Sequence, residues 1–221
     1  MSKRGQTTAV MLASMFFTIV GVQGETITLN RGIEDVEISA ELKDGEPKSD
    51  GETAGENNEG AGRMVLGDRK GKKRGFILMR LDLTNIKRLD PENISDVQLV
   101  MDYNYPEGNP ELALYRISDQ DADWNVDQAT WRQKRKGQTW TGGPGGGEPG
   151  EGTISAEPMA TYKKSEGESK AVFDIPAEVI REWVKETPVL GKNPGMMIRT
   201  VEDRSMFVSS SDGRSHHPIL N

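Results

Sequence analysis

Residues Arg74–Ile86 read RGFILMRLDLTNI. After Arg74 and Gly75 the run has four apolar residues, and it alternates from Met79 to Leu83. Ile77, Met79, Leu81 and Leu83 fall on one face; Phe76, Leu78, Arg80 and Asp82 fall on the other. A period of two predicts a β-strand, because successive side chains point to opposite sides of a sheet. Both faces are apolar at the start, as in a central strand covered on both sides. Arg80 and Asp82 share a face, and a charge buried there has to be paired or reach water.

Outward from this strand, Val36–Leu42, Met64–Leu66, Ser95–Tyr103, Glu111–Ile117, Lys170–Ile175, Met196–Thr200, Met206–Ser210 and Pro218–Leu220 are further β-type runs, with Thr26–Leu29 before them. In SDVQLVMDY, Val97, Leu99, Met101 and Tyr103 share one side. One helix is predicted over Pro176–Glu186. Proline suits the first helical position, and Val179, Ile180, Trp183 and Val184 follow the spacing of one buried face. Short strands, Gly/Pro turns and one helix predict a mostly-β sandwich.

Two segments read as loops. Lys43–Gly62 is acidic and almost without apolar residues, so it cannot bury enough surface to offset its ordering entropy. Gly142–Gly152, GGPGGGEPGEG, reads as mobile by composition.

Residues 1–24 read as a secretion signal, with Lys3 and Arg4 before the apolar Thr8–Val22 and a cut after Gly24. The apolar stretch is short for a membrane span; an uncleaved anchor is the alternative. The remainder, 25–221, is expected to be one exported domain, secreted or held in the envelope or periplasm. The chain has 221 residues, formal net charge −7 and no cysteine. Disulfides, thiol chemistry and Cys metal sites are therefore excluded. The acidic balance argues against nucleic acid and anionic membranes as partners.

Three stretches in order carry a resemblance: RGFILMRLDLTNI, then Ala113–Gly147 (ALYRISDQDADWNVDQATWRQKRKGQTWTGGPGGG), then Ala171–Leu220, beginning AVFDIPAEVIREWV. Together they resemble the DNRLRE-type domain, a carbohydrate-binding-module-like family of exported proteins. The likeness runs from about Gly32 to Leu220. Asp212 stands where that family carries an acid, and His217 where it carries arginine. The resemblance implies a jelly-roll-like β-sandwich and, for some members, binding of acidic polysaccharide such as alginate.

Candidate ligand-binding residues follow from chemistry. Trp124, in a polar stretch, and Tyr105, at a turn beside Pro106, are the rings expected to meet a sugar. Trp183 belongs to the buried helix face, and Trp131 and Trp140 are expected in the core. Two basic clusters, Arg69–Arg74 and Arg132–Lys136, suit uronate carboxylates; Lys72, Arg74, Arg132, Lys134 and Arg135 are the candidates. Solvated turns are the plainer reading of both. Asp119, Asp121 and Asp123 begin like a calcium loop, but Trp124 and Thr130 occupy the places where the helix-loop-helix motif needs Gly and Glu. A looser calcium site stays open. The neighbours His216 and His217 would face opposite ways on a strand and cannot easily share a metal. No Gly-x-Ser-x-Gly turn, P-loop or His-Glu-x-x-His is present. The expectation is a non-catalytic, exported polysaccharide-binding protein. A structural or adhesive envelope protein is the alternative, and a lyase or hydrolase ranks third.

Overall fold

A computed structural model describes residues 33–48, 63–84, 86, 90–104, 106, 108–186, 193–201, 204–209 and 219–220. The readings of the signal segment, of Thr26–Leu29, of most of the acidic stretch, of Tyr105, and of Asp212, His216 and His217 lie outside these residues.

The strands in order are β1 Ile33–Lys43, β2 Glu46–Pro47, β3 Arg63–Arg69, β4 Lys73–Leu81, β5 Val97–Asn104, β6 Glu111–Arg116, β7 Gln133–Arg135, β8 Gln138–Thr139, β9 Ala160–Lys163 and β10 Lys170–Ile175. Helix α1, Ala177–Glu186, follows, and then β11 Met196–Thr200, β12 Ser205–Ser209 and β13 Ile219–Leu220. The chain folds as a mostly-β sandwich.

Strand β4 is its centre. It pairs with β1 along its whole length, from Glu41↔Lys73 to Ile33↔Leu81. Its other edge meets β3 through Lys73–Gly75 and β11 through Ile77–Met79. Beyond β11 lie β6 and β9. Strand β3 leaves β4 and passes to β12, which leads to β5 and its partners β10 and β13. The crossing from one layer to the other needs glycine. A Cβ on Gly67, at φ +87°, would stand 1.9 Å from the Arg204 carbonyl oxygen, and one on Gly75 would stand 2.5 Å from that of Val65. Nearby, the buried Glu37 carboxylate accepts the Val65 N–H at 2.7 Å and pairs with Lys73 at 2.9 Å.

The main core lies between the layers. Ile77, Met79, Leu81 and Leu83 join Leu99, Met101, Phe173, Met196 and Ile198 there. In β5, Val97, Leu99, Met101 and Tyr103 are buried and the alternate residues are not, as the pattern predicts. Helix α1 closes this core with Ile180, Trp183 and Val184. At another point Tyr103 and Tyr162 meet through their hydroxyls at 3.0 Å, and Tyr162 donates to the Glu168 carboxylate at 2.7 Å. Burial, with these neighbours, pushes the Tyr162 pKa far up, so the phenol keeps its proton.

A second core covers the opposite side of β1, β4 and β11. Val36, Ile38, Phe76, Leu78 and Met197 pack there against Trp124, Trp131, Trp140 and Ile154. Among the described residues, no broad sheet forms this cover. It is the segment 117–154, mostly turns with the small β7–β8 hairpin.

Two loop expectations change. The acidic stretch begins as a β1–β2 hairpin, with Asp44 and Gly45 both at positive φ as an Asp-Gly turn requires. The Gly-rich stretch, expected to be mobile, is packed down: Gly145 and Gly146 are buried, and Gly142 N–H bonds to the Thr153 hydroxyl at 2.8 Å. The missing side chains are the reason. The Trp131 ring lies where a Gly145 Cβ would be, and Met197 lies against Gly146.

Candidate functional site

Two buried arginines of the outer face hold turns of the cover in place. Arg80 is 3% exposed. Its Nε donates to the Asn193 carbonyl at 3.0 Å, and its Nη2 donates to those of Ala122 at 2.7 Å and Trp124 at 3.0 Å. Nη1 reaches Glu34 at 3.4 Å, and the guanidinium lies 4.0 Å from the Trp124 ring centre. Burial pulls the Arg80 pKa down, and Glu34 offsets part of that. The pairing demanded of a buried charge is met, mainly by turn carbonyls that no sheet ladder satisfies.

Arg199 repeats the device at the Gly-rich segment. Its Nη2 donates to the carbonyls of Gly145 at 3.0 Å and Gly147 at 2.8 Å, and its guanidinium sits 4.1 Å from the Phe76 ring centre. Neither arginine's anchoring role was visible as a motif. For Arg80 the signal was a charge on an apolar strand; Arg199 offered the same signal in MMIRT.

Trp124 is buried, at 1% exposure, with its indole N–H donating to the Pro194 carbonyl at 2.9 Å. The expected exposed ring is therefore a core residue and offers no face to a sugar. Its place in a polar stretch misled because that stretch is the cover of a core. Trp131, Trp140 and Trp183 are buried as expected.

The acids and the second basic cluster, read separately from the sequence, come together. Lys134 Nζ lies 3.1 Å from Asp121 and 2.8 Å from Asp123, and Arg135 lies 2.8 Å from Asp123. Asp121 is fully buried and also accepts from the Thr141 N–H and hydroxyl. Burial acts to raise the Asp123 pKa, but Lys134 and Arg135 outweigh it and hold the carboxyl below its usual range. Asp123 and Asp121 together hold the Lys134 pKa up against burial. Asp119 points elsewhere, 3.5 Å from Arg116. Among the described residues, no three acid or imidazole groups are arranged to hold a metal ion.

The first cluster has a different fate. It forms the β3–β4 hairpin, with Lys70 and Gly71 at positive φ and Asp68 accepting the Gly71 N–H at 2.8 Å. Lys73 is paired with Glu37, Arg74 lies 3.9 Å from Asp68, and Arg69 lies over Phe207. Lys70 and Lys72 are exposed at the tip. Arg132, from the second cluster, reaches toward this end. It donates to the Lys48 carbonyl at 3.5 Å, beside the β1 end whose Leu42 N–H bonds to the Lys72 carbonyl at 2.7 Å. Lys72, Arg74 and Arg132 thus share one end of the β1–β4 pair, whereas Lys134 and Arg135 are drawn to the Asp turn.

No protein-family model and no curated protein matches the sequence. No helix among the described residues is long and apolar enough to cross a membrane.

Proposed function

We propose that the protein is an exported, non-catalytic β-sandwich of the DNRLRE type that binds an acidic polysaccharide through the β3–β4 hairpin. One observation carries this reading. In a chain with 35 acids against 28 lysines and arginines, Arg69, Lys70, Lys72, Lys73 and Arg74 are gathered in one hairpin, with Lys70 and Lys72 exposed at its tip. Ammonium groups exposed at the tip, with guanidinium groups beside them, suit the carboxylates of a uronate chain. With all four tryptophans buried, recognition of this kind rests on charge, so it weakens as salt rises.

Affinity electrophoresis through gels containing a uronate polymer or a neutral glucan tests it. Retardation by the uronate gel alone, lost in Lys70→Glu/Lys72→Glu, is the expected result. Free migration through every gel would favour the structural or adhesive reading.

A further inference from the structure

We propose that Lys134 is a tethered cation, its ammonium filling a cation site built by the Asp119–Asp123 turn in place of a free metal ion. Three oxygens converge on Nζ: the Gln120 carbonyl at 2.7 Å, Asp123 Oδ1 at 2.8 Å and Asp121 Oδ1 at 3.1 Å. An ammonium has three protons, and each has an acceptor here. Two alternate carboxylates and a main-chain carbonyl are the ligand types that calcium takes from a loop.

The cation arrives from another element. Lys134 comes from β7 and is 9% exposed, and Asp121 is 0% exposed. Arg135 neutralises the second carboxylate from its outer oxygen, at 2.8 Å. Two carboxylates thus face two cations, and the turn closes without an ion from solution. Asp119 takes no part, since its side chain is exposed beside Arg116. The inference does not depend on the polysaccharide reading.

Removing the ammonium leaves a buried carboxylate without its countercharge, together with the space vacated by the lysine stem. A small cation from solution should enter that space. Thermal unfolding of the wild type, Lys134→Ala and Lys134→Met, each in chelator, in calcium chloride and in ethylammonium chloride, tests this. Tetramethylammonium chloride serves as the ionic-strength control.

The wild-type Tm is expected to be the same in all media. Lys134→Ala should have a lower Tm in chelator, recovering by about 3–6 °C when calcium or ethylammonium reaches about ten times its dissociation constant. Lys134→Met should be destabilised without recovery, because its side chain occupies the space. If Lys134→Ala does not fold in chelator, refolding with calcium should restore it. The proposal is overturned if Lys134→Ala responds to neither cation, if it fails to refold in both media, or if Lys134→Met is as stable as the wild type. A wild-type Tm raised by calcium, and no longer so in Asp123→Asn, would overturn it too.

Discussion

Ile77, Met79 and Leu81 on one side of β4 face a core of strands and helix, whereas Phe76, Leu78 and Arg80 on the other side face turns that carry three tryptophans. The first side joins two regular surfaces whose backbone groups are already paired within the sheets, so apolar area alone can hold it. The second side buries irregular chain, and its carbonyls need donors that no ladder provides. Arg80 and Arg199 supply them, and each guanidinium stacks on a ring of the same core. The contrast separates a core that averages over many side chains from a cover that depends on a few polar anchors.

The largest expected effect would come from the apolar side. Phe173→Ala should cost about 3–5 kcal/mol through lost burial and the cavity left behind. The loss should be cooperative, appearing together in far-UV circular dichroism and in tryptophan fluorescence. Equal exposure of both cores at every denaturant concentration is the signature to look for.

Arg80→Met should cost about 2–4 kcal/mol, because the Trp124 and Asn193 carbonyls would stay buried without their donor and the Ala122 carbonyl would lose its own. Its effect should be local. Hydrogen exchange should rise in 118–155 while β5 and β10 keep their protection. Uniform exchange across both cores would mean that the cover and the main core unfold as one unit.

A pH effect sharpens the same contrast. Asp123 has a folded pKa below its unfolded value, so its contribution is fully present above about pH 4, the ordinary aspartate range. It is lost as pH falls through the folded value. Asp123→Asn should therefore lose less Tm than the wild type between about pH 4.5 and pH 3. Parallel Tm profiles would show that the ion pairs of Asp123 contribute nothing.

The smallest effect on stability should follow Lys70→Glu/Lys72→Glu. These side chains are exposed, so the change should stay within about 0.5 kcal/mol by chemical denaturation. The same substitution should abolish binding to a uronate polymer, which separates function from folding.

The two sides of β4 also differ in how far the sequence discloses them. The inner face was legible because a strict period of two survives in β5 and β10, a helical period survives in α1, and β4 is apolar on both faces. The cover has no period. Trp124 therefore looked exposed, and Gly142–Gly152 looked mobile, since composition is blind to a ring or a guanidinium lying on bare backbone. Strand β9 was missed because only Tyr162 of its four residues is buried. The acids at 119–123 and the cations at 132–136 were visible, but not their mutual neutralisation. That depends on a hairpin folding Lys134 back over ten residues of turns. What stayed legible of the site was the β3–β4 hairpin, where charge density and turn chemistry coincide.

Hydrogen–deuterium exchange with and without a soluble uronate polymer decides whether the β3–β4 hairpin is the binding surface. Added protection is expected in peptides spanning Arg69–Arg74 and Arg132, and none around Trp124. Binding that leaves the β3–β4 hairpin unchanged, with protection confined to the Trp-bearing cover or to the β5–β10 face, would contradict it.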